Sequence, residues 1–363
     1  MNILFSTGHP AQVHNYRILR EQLQKRGHKV FWLASKKDIS DYLLNAYGIK
    51  YTQLKRPKKG MLSKMVTLLQ NAWITSRLIK KEKIDFVVSR INPGVVLGTF
   101  LMGRKQIGMT DTEQAGIYDK LFAQLVDAVI TSTSFERTLR DDQIRFNANI
   151  ELFYLHKNYF KYNRQEVYRL LGLPEGSPYV VARFVSGGAF HDTKIDSFSE
   201  ANKIQLMKRI TPYAKLFISS EEELPESLKP FQIKIPYEKM HGVLAEASLL
   251  FGESATMASE VAIMGTGTPG IYVNGQWRGY TNDETRAGLI YSYKIDNQSQ
   301  LEAIEKAVEL LRQKDLKKII QKRQQEFLKN KIDPVAFFVW FIENFPQSKY
   351  IIKQDTNYQY RFK

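Results

Sequence analysis

Short continuous apolar runs alternate along this chain with longer stretches whose apolar positions recur every three or four residues, the pattern of buried strands alternating with amphipathic helices. It predicts strands at 2–5, 30–34 and 49–54, with helices at 13–26, stopped by Gly27, and at 39–47 between them. A βαβαβ start implies a parallel sheet with right-handed crossovers. A helix is predicted over 61–81, with Leu62, Met65, Val66, Leu69 and Trp73 on one face. Strands follow at 86–89, 107–110 and 128–132, the last closing the first sheet. A short helix at 165–171 and a Pro- and Gly-rich stretch at 172–178 mark a boundary, and the βα plan then resumes. Strands are predicted at 179–185, 216–219, 233–236, 248–251 and 271–273, and helices at 201–210, 240–247 and 257–264. Residues 301–329 read as strongly helical, and 334–345 as a last helix before a polar tail. The expected architecture is α/β, with two Rossmann-like parallel-sheet domains at 1–163 and 164–332 facing a cleft, and a C-terminal helix and tail at 333–363.

Composition agrees and narrows the class. The 363 residues suffice for two domains, and 43% apolar with 25% charged residues is a globular balance. The absence of Cys excludes disulfides and thiolate chemistry and points to a reducing compartment. Met1-Asn2 leads directly into the first apolar run without a basic n-region, so no signal peptide is expected. The longest uninterrupted apolar run, 335–342, is far below the roughly 20 residues a membrane span needs. A cytoplasmic protein is expected.

Charge adds a second theme. The net charge is +16, of which residues 51–90 contribute +8 and residues 312–331 contribute +6. Clustered positive charge suits anionic lipid, a phosphorylated substrate or nucleic acid. No zinc-finger spacing or aromatic–Gly RNA signature is present, so nucleic acid is not an expected partner. The first cluster lies beside the apolar face of the 61–81 helix and predicts peripheral docking on the anionic inner membrane surface through Lys55, Arg56, Lys58, Lys59, Lys64 and that helix. A competing arrangement buries the same face on the domain's own sheet and leaves the lysines for a phosphorylated acceptor. The second cluster reads as a solvated basic face.

Candidate chemistry concentrates at 248–273, which reads as strand, tight turn, helix, strand. Ser254 or Thr256 caps the helix and Gly265 stops it. Unpaired backbone N–H groups at Ser254, Ala255 and Thr256, with the helix dipole behind them, form an anion site suited to a diphosphate. Glu260 follows Thr256 by four residues, one turn deeper on the same face, where a carboxylate can accept from the two hydroxyls of a ribose. An ordinary capped helix with a solvated Glu fits the stretch equally well. The turn at 6–10 has one Gly where a dinucleotide fingerprint needs three. Three polar sets, at 8–14, 92–94 and 111–113, fall at carboxyl ends of strands, where open α/β sheets bind ligands.

Two such domains sharing a cleft is the GT-B arrangement of many glycosyltransferases and of UDP-GlcNAc 2-epimerase. Specific residues extend the parallel. They are Arg183-Phe184-Val185-Ser186 with Ala189 and His191-Asp192, Phe217-Ile218-Ser219-Ser220-Glu221 with Glu223-Leu224-Pro225, Glu238-Lys239-Met240-His241, and 252–260. His9-Pro10-Ala11 with Val13-His14, Asp111-Thr112-Glu113 and Tyr154-Leu155-His156 belong to the same set. Over residues 1–295 the chain resembles domain-of-unknown-function family 354, predicted to be GT-B-like and tied to surface polysaccharide synthesis. It departs from the family pattern at Gln12, where His is usual, near Gly187, where an aromatic is usual, and at 266–269, a turn two residues longer.

The resemblance implies His14 as base for an acceptor hydroxyl, with Asp111 and Glu113 as base, acceptor ligand or helix cap. Arg183, at a strand end, would stabilise a leaving diphosphate, and His241 would belong to the loop around the donor's base. His191-Asp192 has no third ligand at metal spacing, so no metal is expected, and no cofactor beyond a UDP-linked sugar substrate. Three functions stay open: transfer of a sugar to a lipid-linked acceptor in cell-envelope polysaccharide or glycolipid synthesis, UDP-sugar 2-epimerisation or hydrolysis with Asp111 or Glu113 abstracting a proton, and nucleotide binding without turnover.

Overall fold

Strand β1 (Asn2–Thr7) carries Ile3, Leu4 and Phe5 wholly out of solvent, and the first sheet grows outward from it on both sides. The computed structural model describes residues 1–35, 38–58, 60–111, 117–185, 197–274 and 278–363. Strands β2 (Lys29–Ser35) and β3 (Thr52–Leu54) lie on one side of β1. On the other lie β4 (Phe86–Arg90), β5 (Lys105–Met109), β6 (Ala128–Ser132) and β7 (Ile144–Phe146), giving the order β3-β2-β1-β4-β5-β6-β7. All these pairings are parallel; Phe5 stands between Trp32 and Val88. Strands covered by helices on both faces read as continuous apolar runs, which is why most were visible in the sequence. β7 was not: it has three residues with Arg145 in the middle, and it extends the sheet past β6, which was expected to close it.

The second sheet has the order β12-β11-β10-β8-β9, again all parallel, from β8 (Tyr179–Phe184), β9 (Lys215–Ser220), β10 (Leu249–Gly252), β11 (Gly270–Val273) and β12 (Ile290–Tyr293). Its core brings Phe184, Phe198 and Phe251 together with Leu216, Ile304 and Ile320. Two expectations are corrected here. Residues 233–236 do not form a strand; a single bridge from Ile218 to Gln232 leads into a 3₁₀ turn at Tyr237–Lys239, and Pro236 has no N–H to give a ladder. The helical stretch 301–329 is two helices, Asn297–Arg312 and Leu316–Leu328, broken where Asp315 takes a left-handed φ of 57°.

The chain forms two compact units, Met1–Tyr154 with Asn330–Lys363, and Leu155–Lys329. The last 34 residues therefore belong to the first unit rather than standing as a separate tail. Helix Pro334–Glu343 packs on helix Pro10–Lys25, with Phe337, Phe338 and Phe341 fully buried and Phe338 edge-on to Phe146 at 5.4 Å. Glu343 accepts from Arg26 at 3.1 Å and pairs with His28 at 3.0 Å. The longest apolar run of the sequence is thus a core helix. Among the described residues no helix is long and apolar enough to cross a membrane.

Candidate functional site

In the second sheet the strand order reverses between β8 and β10, so their carboxyl ends flank a topological switch point, the place where open parallel sheets bind ligands. Gly252 ends β10 opposite Arg183 of β8. Its φ is +154°, and a Cβ there would lie 2.1 Å from the Arg183 carbonyl oxygen. Only Gly allows this approach, after which the chain turns at once into the helix Ala255–Ile263.

Glu253 holds that turn. It is buried, its N–H donates to the Arg183 carbonyl at 2.9 Å, and its carboxylate accepts from the N–H of Phe198 at 2.7 Å and of Val185 at 3.1 Å. Burial raises its pKa, opposed by the two backbone N–H groups and by Lys203. Its own carbonyl accepts from Asn274 at the end of β11, 3.2 Å away. Three segments, the end of β8, the stretch at Phe198 and the end of β11, are thereby tied to one residue, which no local pattern marks because a single acid after a strand looks like a loop residue.

Ser254 caps the helix through Oγ, accepting from the Met257 N–H at 3.3 Å. The N–H groups of Ala255 and Thr256 have no partner among the described residues, which leaves two donors at the positive end of a nine-residue helix. One turn below, Glu260 is buried and faces His241 Nε2 at 3.0 Å, so the solvated-Glu alternative does not hold. His241 is the second residue of helix Met240–Glu246 and is itself mostly buried. On the same helix, Ser259 donates to Glu284, a fully buried carboxylate at 2.5 Å that fastens helix Gly279–Arg286 alongside. Arg183 donates to Ser219 at 2.9 Å and pairs with Glu221, so its guanidinium is held along the β8 and β9 ends. The structure thus assembles Arg183, His241, Ser254, Ala255, Thr256 and Glu260 at one end of one sheet. His191 and Asp192 lie outside the described residues, and among those described no group of three His, Asp or Glu side chains could hold a metal ion.

The first sheet has its own switch point, between β1 and β4. His9 caps helix Pro10–Lys25, and the Gly8 N–H donates to Gln12 at 2.7 Å, so Gln12 has a local role at the turn. His14 is the fifth residue of that helix, one turn deeper than expected, because the helix begins at Pro10. It is buried, with Nδ1 3.2 Å from the Tyr47 hydroxyl and its ring 5.4 Å from that of Tyr154. Asp111 is paired with Arg90 at the end of β4. Thr110 donates to Asp119 at 3.3 Å, whose pKa is raised by burial against the lowering by Thr110, Arg137 and Arg90. Tyr16, buried beside Met109, is pushed up to about 12 by burial, with Arg90 opposing. Glu113 lies outside the described residues. Tyr47 and Arg90, the partners of His14 and Asp111, were not legible: nothing local links them to residues 33 and 21 positions away.

Two Rossmann-like units of parallel strands with strand-end polar sites define a protein of the GT-B fold class. The chain belongs to the family described as protein of unknown function (DUF354), whose model matches residues 2–330. No curated protein matches the sequence. Among solved structures it is similar to UDP-GlcNAc 2-epimerase from Neisseria meningitidis bound to UDP-GlcNAc, with 13% identity, 98% of this chain and 99% of that chain covered, and a TM-score of 0.66. It is similar to the S. aureus MnaA–UDP complex, at 12% identity, 96% and 97% coverage and a TM-score of 0.67. It is also similar to a spinosyn rhamnosyltransferase complexed with spinosyn aglycone, at 13% identity, 95% and 100% coverage and a TM-score of 0.60. At these identities the similarity is one of fold.

Proposed function

We propose that this chain is a GT-B glycosyltransferase that takes a sugar from a nucleoside-diphosphate donor, a UDP-sugar first of all, and passes it to an acceptor in cell-envelope polysaccharide or glycolipid synthesis. The observation that carries the reading is the pair of unpartnered N–H donors at Ala255 and Thr256 with the buried Glu260 one turn below, at the switch point of the second sheet. Amide donors on a helix N-terminus suit the diphosphate, and a buried carboxylate suits the ribose hydroxyls. The names of two similar structures, solved with UDP and with UDP-GlcNAc, support the donor class. Arg183 would exchange Glu221 for the diphosphate as negative charge develops on it. His241 steadies Glu260.

His14 is the proposed base. The contact of Nδ1 with the Tyr47 hydroxyl orients the ring, and a neutral imidazole so held can take the acceptor's proton. Asp111, held by Arg90, then serves as acceptor ligand. The +8 balance over residues 51–90 favours an acceptor carried on lipid, with the protein peripheral on an anionic membrane surface.

A panel of nucleotide sugars, with and without a lipid-extract acceptor, tests the reading by the nucleoside diphosphate released. Acceptor-dependent release is expected from the parent. His14→Ala should lower turnover by about 100-fold or more while leaving UDP affinity within about twofold, since a base touches the acceptor and not the diphosphate. Unimpaired turnover in that variant would remove His14 from the mechanism. One of the similar structures is named as a 2-epimerase, and that second reading predicts C2 epimerisation with solvent deuterium uptake and no acceptor requirement. Binding without release from any donor would leave a nucleotide-binding protein.

A further inference from the structure

Helix Met61–Glu82 is built inside out. Its buried positions are Thr67, Asn71, Ala72 and Thr75 before Leu78 and Ile79. Met61, Leu62, Met65, Leu69 and Trp73, by contrast, are 74%, 76%, 58%, 60% and 62% exposed. A helix folded onto its own sheet shows the opposite arrangement, so the apolar face read in the sequence is not turned inward.

Two observations account for the inversion. Asn71 points in and is committed to the backbone of Lys55, donating to its carbonyl at 3.0 Å and accepting from its N–H at 2.8 Å. The neighbouring helix, Pro93–Leu101, presents Gly94 and Gly98 to the same face. A Cβ at Gly94 would lie 2.5 Å from Asn71 Cβ, and one at Gly98 2.5 Å from the Ala72 carbonyl oxygen. The helices therefore meet through small side chains at backbone distance, and no Leu or Trp fits between them. The second helix also ends with Phe100 and Leu101 exposed.

The row from Leu62 to Trp73 runs about 16 Å along the helix axis. A continuous exposed apolar patch of this kind marks an interaction surface. Its rim says which one. Lys55, Arg56 and Lys58 are exposed and are tied beside the row by the Asn71 bonds and by the Lys58 N–H donating to Ser63 at 3.0 Å. Lys64 is exposed on the helix itself, and the Arg77 guanidinium sits 5.4 Å from the Trp73 ring. A second copy of the chain docked here about a two-fold axis would set this positive rim against itself. An anionic bilayer offers hydrocarbon to the row and phosphate to the rim, and Trp favours the level between them.

We infer that helix Met61–Glu82 lies in the headgroup layer of an anionic phospholipid bilayer, with Leu62, Met65, Leu69 and Trp73 inserted at the acyl boundary and Lys55, Arg56, Lys58 and Lys64 on lipid phosphates. The inference deepens the proposed function, resting on it for the lipid-borne acceptor, but concerns only the first unit.

The test is flotation of the full chain with vesicles of phosphatidylcholine containing about a third phosphatidylglycerol, compared with phosphatidylcholine alone. The parent should float with the anionic vesicles at low salt and about tenfold less well with the neutral ones. Leu62→Ser/Leu69→Ser/Trp73→Ser should lose about tenfold or more of the anionic binding, with an unchanged melting temperature because all three side chains are exposed. The parent's fluorescence should shift to the blue on vesicles, and Trp73→Phe should abolish the shift. Failure of the parent to float, or equal flotation of the triple variant, would overturn the inference. So would a parent dimer in solution that the triple variant dissolves, which assigns the face to a second copy. UDP titration of the same samples keeps the two proposals apart: lost nucleotide binding with intact flotation removes the donor reading alone.

Discussion

Gly252 carries a constraint that no other residue type meets. With φ at +154° and the Arg183 carbonyl oxygen 2.1 Å from a would-be Cβ, the β8 and β10 backbones close on each other where the helix of the anion site begins. Gly252→Ala should destabilise the protein by about 2–4 kcal/mol, read by urea unfolding, because the obstacle is backbone and cannot rotate away. A loss under about 0.5 kcal/mol, the range of an ordinary surface change, would show that the turn relaxes freely. At this scale legibility was uneven. Glu260 could be found because its i+4 distance from Thr256 is a property of any helix. Glu253 could not, since its partners Val185 and Phe198 are 68 and 55 residues away and neither contact leaves a local trace. His14 was singled out by resemblance, but its contact with Tyr47 came only with the fold.

Elements were legible where burial followed period. β1, β2, β4 and β10 are continuous apolar runs and fell close to their predicted places. Helix Met61–Glu82 has equally regular apolar positions, but regularity cannot tell which way a face points. The deciding signal was the spacing of Gly94 and Gly98 on the next helix, which brings its backbone against Asn71 and Ala72.

The C-terminal helices were legible as helices and not as part of the first unit, because their docking depends on distant pairs. Lys349 Nζ lies 2.7 Å from Asp142 and 2.7 Å from the Asp127 carbonyl, joining helix Gln347–Gln354 to the strands of the first sheet. Burial alone would raise the Asp142 pKa, but the bonds from Lys349 and Arg140 outweigh it and hold the value below the usual carboxylate range. A depressed folded pKa stabilises above the unfolded value of about 3.9 and stops doing so as pH falls through the folded one. Asp142→Asn should therefore cost about 1–3 kcal/mol at neutral pH, with the gap to the parent closing as the pH falls below the ordinary aspartate range. A gap that is the same at both pH values would mean that the carboxylate's charge does not contribute.

At the scale of the molecule, two parallel sheets with a reversal of strand order in each supply two strand-end sites, and one uneven charge distribution supplies a surface. The fold class was legible because alternating strands and helices leave few alternatives. The return of Asn330–Lys363 to the first unit was not, as no periodicity encodes which core a terminal helix joins. The central claim is that the second unit holds a nucleoside diphosphate, with its ribose on Glu260. Calorimetric titration of UDP into the parent and into Glu260→Ala tests it most directly. The parent should bind, and the variant should bind about 1.5–3 kcal/mol more weakly, roughly 10- to 150-fold, through loss of a charge-assisted hydrogen bond. Equal affinity in the two proteins, or no heat from UDP or any other nucleoside diphosphate in the parent, would contradict the account.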